Sequence, residues 1–429
     1  MAFLSALAFL HCGSIVYAVP EYSHWRDDGS LYLQSYDFTV DTVWRGTLAS
    51  FLGSLAFGLG AITLGGRQAH RFFRQRVAFL RPEARKELLI VLGGLGTLGF
   101  VFTAIKLSFP LSQALFQVLR NLAIATVCLG PAMVLLIDQR RDYTGWIALA
   151  MVIPVVYLVV FGFTSFGFIA FSIFVSFWFC TLASPRMAPP LICVGVAGLI
   201  VVMLSAFVAW MSFRGRIREA IDGGRGSLSD RIDVIGEAIA SIELLHPSNF
   251  NSLDWLNIRL NQNIFVGKAI EWHELYPYLK LYGEKLALIP FALIPRFLWP
   301  GKPMMGGSSM LEEHTGMIFS SRATFGMGPI IEWFINFGMP GIFFGMLLLG
   351  LVVRWIDIQA SLSLQTFRFL DFARWFTAGI ALVAPLTELF FMFNTALMSF
   401  LSLTALKHFV GRRVRQPESK LLSPSPRAR

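Results

Sequence analysis

The chain has 429 residues, of which 55% are hydrophobic and 14% charged, with 41 phenylalanines and a net charge of +10. That much apolar surface does not fit inside one soluble core, which excludes an ordinary water-soluble enzyme and points to a polytopic membrane protein. The positive charge then reflects basic residues kept on one side of a membrane, not nucleic-acid binding.

A hydrocarbon core of about 30 Å needs about 20 residues of helix. Apolar segments of that size lie at roughly 1–19, 42–64, 88–107, 113–136, 144–163, 165–183, 190–212, 328–352, 371–392 and 394–410. The expected fold is an all-α polytopic integral membrane protein of about ten transmembrane helices with one large external loop. Residues 1–212 form an N-terminal bundle of about seven spans, and 213–327 form the loop. Residues 328–410 form a C-terminal bundle of about three spans, and 411–429 form a basic tail, rich in Ser and Pro, that is expected to be disordered.

Lys and Arg accumulate in cytoplasmic connections, so they orient the chain. "RQAHRFFRQRVAFLRPEARKE" after the second span, "DQRRD", "SPRMAPP", the stretch from Arg354 to Arg374 and the tail all share one side if both termini are cytoplasmic. The acidic "EYSHWRDDGSLYLQSYD" and the 213–327 loop then lie outside; the loop is itself basic, but long translocated loops are largely exempt from the rule. A signal peptide ending near Val16 and Ala18 competes for the first segment, although no basic region precedes it.

Cys12, Cys128, Cys180 and Cys193 fall inside predicted spans at no ligand spacing and read as packed thiols. There is no HExxH, P-loop or internal repeat, and "EWHE" (271–274) and "EEH" (312–314) read as solvated loop charges, not a metal site. No cofactor is expected.

Within the loop, Leu228, Ile232, Ile235, Ile239, Ile242 and Leu245 recur at helical spacing and predict an amphipathic helix on the outer leaflet or the bundle. "SNFNSLDWLNIRLNQN" (248–263) combines asparagines with Trp255 and Arg259; such a mix suits carbohydrate, and equally an ordinary polar loop. Next comes "IPRFLWPGKP" (294–303), whose prolines prevent a helix from running through it, so that Arg296 and Lys302 sit on a stiff scaffold. Arg322 follows, then Glu332 and Asn336 one helical turn apart at the start of a span. Polar groups at such depth are costly in lipid and should face the bundle interior. Arg120 with Asn121, and Glu388 with Asn394, obey the same logic.

"IPRFLWPGKP" followed by "EWFINFGMPG" (332–341) resembles the bacterial oligosaccharide repeat unit polymerases, the Wzy-type O-antigen and exopolysaccharide polymerases, over residues 251–350. The family's Arg, ten residues, Gly spacing also occurs at Arg296 to Gly307 and at Arg225 to Gly236. The chain departs from the family at Gly301, where an acidic residue is usual, and at Phe334 and Ile335, where an aromatic usually precedes Asn-Phe-Gly. The resemblance implies an enzyme of the bacterial inner membrane that polymerises polyprenyl-diphosphate-linked oligosaccharide units at its outer face. A chain-length regulator or a flippase are the implied partners, beside the lipid bilayer.

Such a reaction has diphosphate as leaving group, and Arg or Lys can stabilise it without a metal. Arg296, Lys302 and Arg322 are the first candidates, with Arg120 deeper and Arg259, Asn336 and Glu388 as further substrate contacts. The acceptor hydroxyl needs a base, for which Glu332 and His314 are available. Glu332 is preferred because burial makes a carboxylate a better base; His314 sits in a polar stretch that reads as solvent-exposed. Three alternatives remain open: a ligase of the same architecture, a lipid-monophosphate-sugar glycosyltransferase using Asp27, Asp28, Asp37 and Asp41, and a flippase for the same lipid.

Overall fold

The computed structural model describes residues 10–22, 38–64, 204–213, 228–246, 248–294, 307–319 and 326–414, together with a few isolated positions. These residues are almost entirely helical, and none of them is in a strand. The helices are α1 (Val40–Thr63), α2 (Leu228–Ala240), α3 (Phe250–Leu260), α4 (Asn263–Leu275), α5 (Ser308–Thr315), α6 (Gly328–Gln365), α7 (Phe369–Ala381) and α8 (Leu389–Val414). Short 3-10 segments cover Cys12–Ala18, Pro277–Leu279 and Leu286–Leu293. The segments expected as spans between 88 and 200 lie outside the described residues.

Among the described residues α1, α6 and α8 are long and apolar enough to cross a membrane. α1 starts with a capping box in which the Thr39 side chain accepts the Thr42 amide and the Thr42 side chain accepts the Thr39 amide. Trp44, Leu48, Phe51, Leu55, Leu59 and Ile62 then form an exposed apolar stripe along its length, the pattern of a helix facing lipid. α8 runs on to Val414, past residue 411 where the tail was expected to begin.

α6 is not the single entering helix that the sequence suggested. Gly338 takes φ 67° and ψ −155°, and Pro340 follows two residues later. The chain doubles back there: a Cβ on Gly341 would stand 2.4 Å from the Trp333 carbonyl oxygen, whereas residues eight apart in one helix are separated by about 12 Å. A short first leg, 328–337, therefore lies against a long second leg, 339–365, which by itself reaches about 40 Å and is enough to span.

The expected 371–392 span also breaks. α7 ends at Ala381, residues 382–388 turn, and α8 starts at Leu389. Pro385 within that turn stops the helical pattern. α7 and α8 are antiparallel: Lys407 Nζ donates to Asp371 at 2.6 and 2.7 Å, Trp375 packs on Phe400, and Trp355 of α6 meets Trp375 at 5.0 Å. The basic groups Arg354, Arg374 and Lys407 gather at this end, while the 382–388 turn lies at the other.

Residues of the 213–327 region share one hydrophobic core with the long helices, from Val16 and Phe57 through Leu256, Ile264 and Leu311 to Ile342 and Met392. α4 crosses α1 by glycine contact in both directions. A Cβ on Gly46 would lie 1.9 Å from the Asn263 carbonyl oxygen, and one on Gly267 would lie 1.9 Å from that of Thr42. The crossing is held by a hydrogen bond from the Thr42 hydroxyl to Glu271 and by the Arg45–Glu274 ion pair at 2.9 Å.

The predicted amphipathic helix forms as α2, but Ile239 is 62% and Ile242 40% exposed. The polar stretch 248–263 is neither loop nor open sugar platform. It folds into α3, capped by Asn249, which accepts the Ser252 amide at 3.1 Å. Asn257, Asn261 and Asn263 are buried and bonded to Tyr17, Ser14 and His11.

The glycine crossing gives a stability test. Gly267→Leu should destabilise the protein by about 3 kcal/mol, at the upper end of overpacking costs. Gly236→Ala, on α2 with nothing within 4 Å of its new Cβ, should be neutral or stabilising by about 0.5–1 kcal/mol. Thermal unfolding in detergent measures both.

Candidate functional site

Four separate segments meet at the 382–388 turn. The first leg of α6 enters it: a Cβ on Gly328 would lie 2.4 Å from the Pro385 carbonyl oxygen, and one on Gly326 would lie 1.8 Å from that of Leu386. The Leu389 amide donates to Glu332 Oε2, capping the start of α8, and the Gly307 amide donates to Glu388 Oε1 at 2.8 Å. Leu288 and Ile289 of the 3-10 segment rest on Phe390 of the first turn of α8.

Glu332 is 3% and Glu388 7% exposed. A carboxylate taken out of water that far must have donors, and each receives a backbone amide. Asn336, one turn after Glu332, spends its amide within the protein: Nδ2 donates to the Glu332 carbonyl at 2.7 Å and Oδ1 accepts the Gly283 amide at 3.0 Å. The neighbouring Leu281 amide donates to the Ile335 carbonyl at 3.0 Å. Asn336 therefore fastens the 281–283 turn, in which Tyr282 and Gly283 both have positive φ, to the first leg.

His314 is fully buried, not solvent-exposed as its sequence context suggested. It stacks on His273 of α4, with His273 Nε2 and His314 Nδ1 at 3.2 Å and ring centroids 5.3 Å apart. His273 meets Phe334 edge-on at 5.7 Å, which puts the pair against the leg that carries Glu332. The outer nitrogens, His273 Nδ1 and His314 Nε2, are buried without a hydrogen-bond partner. Burial holds His314 down at about 4, helped by His273 and the Lys285 ammonium, and burial followed by Lys280 lowers His273. Both rings are thus neutral near pH 7 and share one proton position between them.

The other candidates divide. Arg259 lies half-buried on α3. Arg120, Arg296, Lys302 and Arg322 lie outside the described residues, as do Asp27, Asp28 and Asp37. Asp41 is paired with Arg45 at 2.7 Å, an ion pair within α1. The two candidate acidic clusters are spent on the fold: Glu271 on Thr42 and Lys268, Glu274 on Arg45, and Glu312 on the Phe319 amide. No group of three or more His, Cys, Asp or Glu able to hold a metal occurs among the described residues.

Sequence reading missed His273 and Lys285 as parts of this site. The only hint of His273 was its place in "EWHE", and its partnership with His314 depends on α4 and α5 packing together. Comparison with models of protein families, with curated proteins and with solved structures finds no match.

The imidazole pair sets a pH dependence. His314 has its folded value depressed below 6.5, so its contribution is complete above that value and is lost as pH falls toward about 4, where the unfolded chain binds protons that the folded pair refuses. The unfolding temperature in detergent should therefore fall from about pH 7 to about pH 4.5. His314→Gln should flatten that slope while costing about 1–3 kcal/mol near neutrality.

Proposed function

We propose that the chain is a glycosyltransferase of about ten spans that polymerises polyprenyl-diphosphate-linked oligosaccharide units at the outer face of the bacterial inner membrane, with both termini cytoplasmic. The observation that carries this reading is the buried carboxylate of Glu332 at the turn where both cation-bearing stretches end. Ile294 and Gly307 flank Arg296 and Lys302; Phe319 and Gly326 flank Arg322. Of these flanks, Gly307 is bonded to Glu388, Gly326 packs on Leu386, and the segment ending at Leu293 rests on α8.

The chemistry asks for this pairing of charges. An acceptor hydroxyl attacks the anomeric carbon of the lipid-linked sugar, the bond from that carbon to the diphosphate oxygen breaks, and the diphosphate leaves with the bonding electrons. The hydroxyl proton passes to Glu332. Arg296 and Arg322 take the developing charge through bidentate contacts and Lys302 as a point charge. Arg120 contacts the lipid diphosphate more deeply, and Arg259, half-buried on α3, is a further substrate contact. Asn336 serves by holding the 281–283 turn against the leg that carries Glu332. A single displacement inverts the anomeric configuration and calls for no metal.

The reading is tested in cells and with purified protein. Arg296→Ala and Glu332→Gln, at matched protein level, should each lower chain elongation roughly a hundredfold to a thousandfold and leave single lipid-linked units to accumulate. Arg296→Lys should stay impaired, because a point charge does not reproduce a bidentate fork. Elongation by the purified protein should survive chelator. Normal chain lengths from Arg296→Ala, or rescue of a chelated enzyme by a divalent cation, would overturn the mechanism. A reporter fused after Gly224 should be active outside the cytoplasm and one after Arg74 inside; the reverse would remove the outer-face assignment.

A further inference from the structure

Two buried carboxylates stand side by side at the 382–388 turn, and the bonds they make assign them different work. Glu388 Oε1 accepts the amide of Gly307, the residue immediately before α5. Gly307 takes φ 96° and ψ −177° and has no atom within 4 Å of the place where a Cβ would stand, so its backbone conformation and this bond, not side-chain crowding, define its position. Its carbonyl accepts the Leu311 amide at 3.3 Å, the first bond of α5.

α5 has only eight residues and no side-chain cap at its start. A helix of that length is not stable by itself in water, so its seat depends on tertiary contacts. Those at its far end are the Trp272 indole, which donates to the Glu313 carbonyl at 3.1 Å, and the His273–His314 stack. At its near end Met310 and Leu311 enter the core, and the half-buried Gly307 is held by Glu388, itself 7% exposed.

We propose that Glu388 is a positioning residue and not the substrate contact expected from the sequence: by accepting the Gly307 amide it seats α5, and through it His314 in its stack on His273, against the leg that carries Glu332. Glu388 takes no proton during turnover. The division of labour between the two carboxylates rests on the reading of Glu332 as the base. An amide oxygen accepts a backbone N–H as a carboxylate oxygen does, but it does not take a proton near neutrality. The two positions should therefore respond oppositely to the isosteric change.

The experiment compares the full-length protein with Glu388→Gln, Glu388→Ala and Glu332→Gln, reading amide hydrogen exchange over Leu311–Thr315 in detergent and glycan chain length in cells at matched protein level. Glu388→Gln should keep exchange within about threefold of the parent and retain long chains, while Glu388→Ala should speed exchange at least about tenfold and shorten the chains. Glu332→Gln should lose long chains and leave α5 protected. Exchange in Glu388→Gln as fast as in Glu388→Ala, or unchanged protection in Glu388→Ala, overturns the proposal. If Glu388→Ala does not fold, Glu388→Gln decides alone: protection kept with long chains supports positioning, and protection kept with chains lost makes Glu388 a proton carrier. If the parent itself makes no long chains, the functional reading fails, while the exchange comparison still decides what Glu388 does.

Discussion

The pair of bonds from backbone amides to Glu332 and Glu388 organises the described part of the molecule. A helix beginning inside an apolar environment leaves amides that need acceptors, and a carboxylate inside the same environment needs donors. Each defect answers the other. Glu332 sits on the short first leg of α6 and supplies the start of α8; Glu388 sits at the start of α8 and supplies the approach to α5. Because the bonds run between segments far apart in sequence, they fix tertiary arrangement in a way that bonds within a helix do not.

The doubling back of α6 makes this possible. Had residues 328–365 formed one straight helix, Glu332 and Asn336 would have projected beyond the level of the 382–388 turn. Folding the first leg against the second brings them level with it, and Gly338, where the irregular backbone turns, is buried, the condition for irregular backbone near lipid. The glycine crossing of α1 and α4 does the equivalent work on the opposite flank: close backbone approach lets α4 deliver His273 to the same region.

A neutral, stacked imidazole pair packed against the leg that carries Glu332 is a polar group of high cost and high definition. Its outer nitrogens have no partner within the protein, so its stability depends on remaining uncharged, and the apolar edge of Phe334 and the ammonium of Lys285 both favour that state.

Composition and apolar segment length determined the membrane class and the helical fold, because a low-dielectric environment imposes one requirement on every residue of a span and so writes it redundantly along the chain. The Glu332–Asn336 pair was legible for the same reason: two polar groups one turn apart in an apolar run have to face protein. What local pattern could not decide was how the chain continues where apolar runs break. The fold-back at Gly338 and the turn at 382–388 fall inside stretches that are hydrophobic enough to continue; Pro340 and Pro385 mark the interruptions, but the path the chain takes after each is settled by what its ends can bond to. The asparagines of α3 illustrate the reverse case. Their composition suited a sugar-binding loop as well as a core, and only the arrival of the 12–18 segment beside them turned them into buried hydrogen-bonded packing. The imidazole pair and the separate tasks of Glu332 and Glu388 belong wholly to tertiary structure, since a residue's partners at long sequence separation are chosen by packing, which the spacing of residues along the chain does not encode.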